Sequence, residues 1–367
     1  LIVYRQLSYI PPLPILAFKG RDATTIMKRK TRNFAGLVLR MSVCAGLLVY
    51  LFAKTDRNSL SDAISQACLH WPWLVLGLIL TFLGLLSGGI RWGRILAFHG
   101  FQFRTRKVLH MFFVGQFFNS FMLGACGGDL VRAYYTWKDQ PGRRTAAAMT
   151  VVMDRAIGLF ATILFSCIMI FARINVFLDN EGPLDTGIVM LTFLVATAAG
   201  LFVLFRQNVF EHFRLFRWLE NSTRIGPLIR KAYEIFFLYR KDRRVLLPAL
   251  GLSLFNLVLL TLACCCFGHA LNLKVSAIDY FALFPIITVL TAVPITPGSL
   301  GVRETLFVSL FSAVFVDRPH AILLSLMVYI GGAFWSLFGG ILYITVSSRE
   351  ERRLPATLET ANLLDNS

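Results

Sequence analysis

Long apolar runs alternate along the chain with short polar connections. A helix that crosses a bilayer needs about 20 predominantly apolar residues. Six stretches reach that length without interruption: 34–53, 72–90, 146–172, 187–205, 245–268 and 320–346. Two further apolar regions, 108–128 and 278–316, are broken by glycine and proline, within "GACGGDLVRAYY" (Gly124 to Tyr135) and "VPITPGSLGVRE" (Val293 to Glu304). The expected fold is all-α: a polytopic integral membrane protein with six full crossings and two interrupted ones.

The connections set direction, because lysine and arginine accumulate on the cytoplasmic side of short loops. Arg29, Lys30 and Arg32 precede the first run; Arg91, Arg94, Arg104, Arg106 and Lys107 follow the second; Arg143 and Arg144 precede the third. Residues 206–244 carry ten arginines and lysines, and Arg349, Arg352 and Arg353 follow the last run. Residues 54–70 balance Lys54 and Arg57 against Asp56 and Asp62, and 173–186 is net acidic. Because 91–107 and 129–145 are both basic, the region between them must enter and leave by the cytoplasmic face. By the same reasoning 278–316 dips from the opposite face and returns, so both interrupted regions are expected to be re-entrant hairpins. The order is helix, helix, hairpin, helix, twice over and with opposite sense, which is an inverted repeat. An offset of 171 residues carries Arg132 onto Arg303, Gly127 onto Gly298 and Val131 onto Val302.

Composition agrees with this pattern: 56% of the 367 residues are apolar, 16% are charged, and mean hydropathy is +0.65, outside the range of a soluble domain. The net charge of +17 would point to nucleic acid in a soluble protein, but here the basic residues lie between apolar runs, so orientation accounts for them and no nucleic acid is expected. None of the seven cysteines has zinc-ligand or redox spacing, so neither a metal nor any other cofactor is expected. Residues 1–33 are expected to form a basic N-terminal segment in which either Met27 is the native start or the stretch before it is poorly ordered, 34–346 the membrane domain with halves 34–172 and 187–346, and 347–367 a cytoplasmic tail.

Non-helical backbone is tolerated at membrane depth only where protein or water satisfies it. The broken regions therefore mark a site. Gly127 and Gly128 in the first, and Pro297, Gly298 and Gly301 in the second, supply turns whose amides face a ligand. Helices restarting near Gly128 and Ser299 would present positive N-terminal ends suited to an anion, a phosphate above all. Arg132 and Arg303 follow within a turn, where a guanidinium binds phosphate bidentately. "MDRAIG" sets Asp154 and Arg155 inside an apolar run, where an ionisable residue costs about 2.5–3.5 kcal/mol and is paired or lines a wet path. With Asp129 and Glu304 the candidate set balances three acids against three arginines, and mutual pairing of these residues is the competing structural reading.

The other polar residues in apolar runs have simpler expectations. Gln116, Asn119 and Asn256 are expected to bond between helices. His110, His269 and Trp71, Trp73, Trp92 and Trp335 fit membrane edges or packing. Arg40 is expected to snorkel, and 206–244 either to lie on the anionic inner leaflet or to form a solvated loop.

"GGDLVRAYY", "MDRAIGL" and "VPITPGSLGVRETLF", in this order and separated by apolar helices, resemble the transmembrane region of lysylphosphatidylglycerol synthases and related stand-alone flippase-like membrane proteins. The resemblance covers 34–346. It implies a lipid or lipid-linked substrate moved between leaflets, with the glycines, Pro297, Asp129, Arg132, Asp154, Arg155, Arg303 and Glu304 at the family's motif positions. Full-length members carry a soluble domain that aminoacylates phosphatidylglycerol, and that activity is not expected of residues 347–367. The leading expectation is a translocase, not an enzyme, for an anionic phospholipid or a polyprenyl-phosphate-linked lipid. The alternatives are a membrane transferase, for which no acidic metal cluster or nucleophile–base pair is present in the sequence, and a scaffold for a separate glycosyltransferase or lipid-modifying synthase. A homo-oligomer is also open.

Overall fold

The protein is seen here as a computed structural model that describes residues 57–121, 127–140, 142–173, 243–292, 299 and 301–365, together with 192 and 195. Among the described residues every regular element is helical: α1 (Arg57–Leu69), α2 (Trp71–Phe98), α3 (Thr105–Phe121), α4 (Gly127–Asp139), α5 (Arg144–Ala172), α6 (Arg243–Ala270), α7 (Ala277–Thr291), α8 (Val302–Phe311) and α9 (Arg318–Asp365). Four are long and apolar enough to cross a membrane: α2, α5, the Leu246–Ala270 part of α6 and the Arg318–Thr345 part of α9. At 1.5 Å per residue the shortest of them spans about 38 Å, against a hydrocarbon core of about 30 Å. They coincide with the predicted crossings 72–90, 146–172, 245–268 and 320–346. The predicted crossings 34–53 and 187–205, and the basic stretch 206–242, lie outside the described residues.

Helix ends follow local chemistry. Pro72 sits in the first turn of α2, where its missing N–H costs nothing. Gly100, at φ +75°, closes the other end: its amide bonds Ala97, and the amide of Phe101 bonds Leu96. Asn272 plays the same left-handed role after α6 at φ +56°. The Arg143 guanidinium donates to the carbonyls of His99 and Gly100, a cation at the negative end of α2. Burial, then that guanidinium, holds the His99 imidazole down to about 4.

The longest interface is that of α2 with α6, whose crossing is close because α2 turns small residues inward. Gly77 faces Phe267, Gly84 faces Leu260 and Asn256, and the Ser87 hydroxyl donates to the Leu252 carbonyl at 3.1 Å. The numbers rise on one helix as they fall on the other, so the two run antiparallel. Small residues permit such approach where lipid removes the hydrophobic drive between helices.

Two antiparallel hairpins complete the bundle. In the first, Lys107 pairs with Asp139 at 2.8 Å, Gly115 lies against Arg132, and the Asn119 Oδ1 accepts the Gly128 N–H at 2.9 Å. In the second, the ring of Tyr280 meets Phe311, that of Phe284 meets Phe307, and the Ser299 hydroxyl donates to the Thr291 carbonyl at 2.8 Å. The 17 residues of α3 and 15 of α7 make arms of about 26 Å or less.

The offset that separates Arg132 from Arg303 carries α2 onto α6, α3 onto α7, α4 onto α8 and the start of α5 onto that of α9, each within about four residues. Packing obeys the same exchange. α3 lies on α9 while α7 lies on α5, and α4 leans on α5 as α8 leans on α9. Arg173, just after α5, reaches Asp279 near the start of α7 at 2.6 Å, and the Trp73 ring lies tilted against His269, 5.0 Å between centroids. These contacts put 71–73, 173, 269–279 and 311–318 at one end of the bundle, opposite 98–107 and 138–144.

Candidate functional site

A buried cluster of charge lies where α4 crosses α5. α4 places Asp129 and Arg132 one turn apart, and Gly115 of α3 makes room for the second: a Cβ there would fall 2.5 Å from the Arg132 Cγ. The Arg132 guanidinium lies over the rings of Trp92 and Phe112, 4.3 and 4.8 Å from their centroids. Its Nη2 donates to Asp154 Oδ2 at 3.0 Å, while Arg91 Nε donates to Asp154 Oδ1 at 2.8 Å. One carboxylate thus holds two guanidiniums, and Arg132 and Asp154 are each only 2% exposed. Arg91 extends the chain across the α2–α6 interface by donating from Nη1 to the Ser253 hydroxyl at 3.0 Å. Gly158 leaves space for it, since a Cβ there would meet Arg91 Nη1 at 3.1 Å.

Asp129 binds a third arginine. Arg155 Nε and Nη2 donate to its two oxygens at 3.0 and 3.3 Å, the bidentate geometry that guanidinium and carboxylate favour. Arg132 Nη1 stands 3.6 Å from the same carboxylate. The Arg155 side chain is 57% exposed. Among the described residues the cluster therefore sets three guanidiniums against two carboxylates, and one of the three faces outward.

The second hairpin is built differently. Gly301, at φ +83°, starts α8, and the buried Glu304 reaches back to accept its N–H, as the third residue of a helix does in a capping box. The other Glu304 oxygen accepts the Ser325 hydroxyl at 3.1 Å. The Arg303 guanidinium lies 5.0 Å from the centroid of the Tyr329 ring. The Tyr329 hydroxyl donates to the Ser120 carbonyl at 3.5 Å, so one tyrosine joins the restart of the second hairpin to the last turn of α3.

The structure thus gathers Gly128, Asp129, Arg132, Asp154 and Arg155 in one place, with Gly127 at the start of α4, and places Gly301, Arg303 and Glu304 at the start of α8. Pro297 and Gly298 lie outside the described residues.

Residues 34–339 match the family described as "Lysylphosphatidylglycerol synthase TM region". The chain belongs to that family. Two curated proteins of Methanothermobacter thermautotrophicus, each named a UPF0104 membrane protein, are similar to it. One is 22% identical over 271 residues, covering 70% of this chain and 79% of the relative; the other is 23% identical over 298 residues, covering 74% and 83%. With the four crossing helices, this makes the chain a multi-pass membrane protein of that family.

Sequence reasoning misses Arg91, Ser253, Ser325 and Tyr329. Apolar length puts Arg91 in the basic flank after a crossing that ends at 90, but α2 runs on to Phe98 and carries Arg91 into the bundle, 9% exposed. A signal is present: Gly77, Gly84, Ser87 and Arg91 recur at helical spacing on one face. Tyr329 and Ser325 are likewise one turn apart in an otherwise apolar run. Asn119 makes the inter-helix bond expected of it, and His110 Nε2 lies 3.4 Å from the Leu342 carbonyl.

Proposed function

We propose that this protein moves a lipid with an anionic headgroup, a phospholipid or a polyprenyl-phosphate-linked lipid, between the leaflets of the cytoplasmic membrane. The observation that carries the reading is the charge cluster at the depth of the apolar helices, where among the described residues the buried Arg91 and Arg132 and the outward-facing Arg155 stand against the two carboxylates of Asp129 and Asp154. A net positive charge at that depth calls for an anion, and a lipid phosphate is the anion a bilayer supplies.

The topology suits the task. α2 and α6 hold equivalent places in the two halves and run antiparallel, which favours an inverted repeat; with arms of about 26 Å or less, α3–α4 and α7–α8 are too short to cross and return, and act as re-entrant hairpins. In this reading both termini lie on the cytoplasmic side, which is supported by the basic residues of 98–107 and 138–144 at one end of the bundle. The helix starts and arginines hold the headgroup while the acyl chains stay in lipid, and rocking of one half against the other changes access. The chemistry is transport, without a covalent step, and the partner is the lipid itself.

Leaflet exchange in proteoliposomes tests this. Purified protein is expected to exchange fluorescent phosphatidylglycerol or a labelled short polyprenyl phosphate at least ten times faster than protein-free vesicles, and phosphatidylcholine no faster. Arg303→Ala is expected to return the rate to that of empty vesicles while the protein elutes as a folded species. Exchange of none of these lipids, or equal exchange of the zwitterionic one, would overturn the reading.

A further inference from the structure

We infer that the seam between the outward faces of α4 and α5 is the track along which the lipid headgroup travels, from the leaflet at the basic end of the bundle to mid-depth. The inference rests on the translocase reading and adds to it the route and the leaflet of origin.

On α5 the exposed positions Arg144, Ala148, Val152, Arg155 and Leu159 follow one another at helical spacing and make a single outward stripe. Leu130, Tyr134 and Lys138 do the same on α4. The two helices are tied together at both ends of the seam. At the basic end the Arg144 guanidinium stacks on Trp137, 3.8 Å from the ring centroid; deeper, Arg155 grips Asp129. Only alanine and valine face outward on α5 between the two arginines. Arg144 and Arg155 are eleven residues apart, about 16 Å at 1.5 Å per residue and roughly half the hydrocarbon core.

An outward-facing guanidinium at that depth is costly against acyl chains alone. It is favourable if a phosphate reaches it, because guanidinium binds phosphate through paired charge-assisted bonds. The carboxylate of Asp129 fixes the head of Arg155 toward α4, at the edge of the seam. A headgroup captured at Arg144 has a small, smooth step past Ala148 and Val152 to Arg155, and its tails remain in the lipid that the stripe already faces.

Among the described residues, the positions of the second half that align with this stripe carry no charge. The 171-residue offset carries Arg144, Ala148, Val152, Arg155 and Leu159 onto Phe315, Pro319, Leu323, Leu326 and Ile330, all apolar. Charge at the two ends of the bundle differs in the same sense. At the Phe315 end the exposed charges among the described residues include Lys274 and Asp317, the latter 2.6 Å from His320 Nδ1, whereas exposed Arg94, Arg104, Arg106, Lys138, Arg143 and Arg144 stand at the opposite end beside the Lys107–Asp139 pair. Loading is therefore one-sided, from the leaflet beside Arg144.

Proximity chemistry tests the track without requiring net transport. Val152 and Leu337 are 54% and 50% exposed, and each lies eight residues inside its crossing, counted from Arg144 and from Thr345. In a cysteine-free background, Val152→Cys and Leu337→Cys would be incubated in vesicles with phosphatidylethanolamine carrying a maleimide on its amine, a lipid left anionic by its phosphate. The expected result is at least tenfold faster labelling at 152 than at 337, falling to the rate at 337 when Arg155→Gln is added. Equal labelling at the two positions, or labelling at 152 indifferent to Arg155, would overturn the track. Selective labelling without leaflet exchange would retain the track as a lipid-binding seam and defeat the translocase reading instead.

Discussion

Asp154→Ala is expected to cost the folded protein about 3–5 kcal/mol and to remove most of the monodisperse species in detergent. The reason is geometric. Asp154 gives one oxygen to Arg91 and the other to Arg132, all three are buried, and Arg91 continues to Ser253 on the other half. Deleting the carboxylate removes the partner of Arg91 and leaves Arg132 only Asp129, 3.6 Å away and already shared with Arg155, and it loosens α4, α2 and α6 from α5 together. Asp154→Asn keeps both acceptor geometry and volume in part, and is expected to retain an intermediate fraction. Size-exclusion profiles and thermal unfolding of the three proteins check the order wild type, asparagine, alanine. Unfolding of Asp154→Ala at the same temperature as wild type would show that the cluster contributes nothing to the fold.

Gly128→Ala is the second large effect. A Cβ on Gly128 would lie 1.8 Å from the Gly115 carbonyl oxygen and 2.6 Å from the Asn119 Cγ. The obstacle is backbone, so the two arms of the first hairpin must separate. Separation also breaks the Gly128 N–H bond to Asn119. Overpacking of this kind costs about 3 kcal/mol, at the upper end of the usual range, because no rotamer relieves it. Gly251→Ala is the matched control: it is exposed on α6 with nothing within 4 Å of the new methyl, and helix propensity makes it neutral or about 1 kcal/mol more stable. The unfolding temperature of Gly128→Ala should fall, while that of Gly251→Ala should hold or rise.

Much of this architecture is legible in the amino-acid sequence, for identifiable reasons. Apolar length marks the four crossings, and glycine and proline mark both places where a helix stops and restarts. Asp154 and Arg155 are conspicuous because charge inside an apolar run has few explanations. Pairing is not legible. That Asp154 takes Arg91 as well as Arg132 depends on α2 continuing past Ile90 to Phe98, and hydropathy weights arginine too heavily to allow it. The division between the two hairpins is also hidden. The offset aligns Arg132 with Arg303, but it also aligns Asp154 with Ser325 and Gly158 with Tyr329, so a carboxylate clasp on one side becomes an aromatic platform on the other. Only packed side chains show that Ser325 has turned to Glu304 and Tyr329 to Arg303.

The proposed translocation requires that two hairpins enter from opposite faces and that each leaves by the face it entered. Single cysteines at Arg106 and Lys138, which flank the first hairpin, and at Lys274 and Asp317, which flank the second, would be placed in a cysteine-free background in sealed vesicles. A membrane-impermeant maleimide is expected to reach Arg106→Cys and Lys138→Cys from the cytoplasmic side alone, and Lys274→Cys and Asp317→Cys from the other side alone. Labelling of the two members of either pair from opposite sides would contradict it.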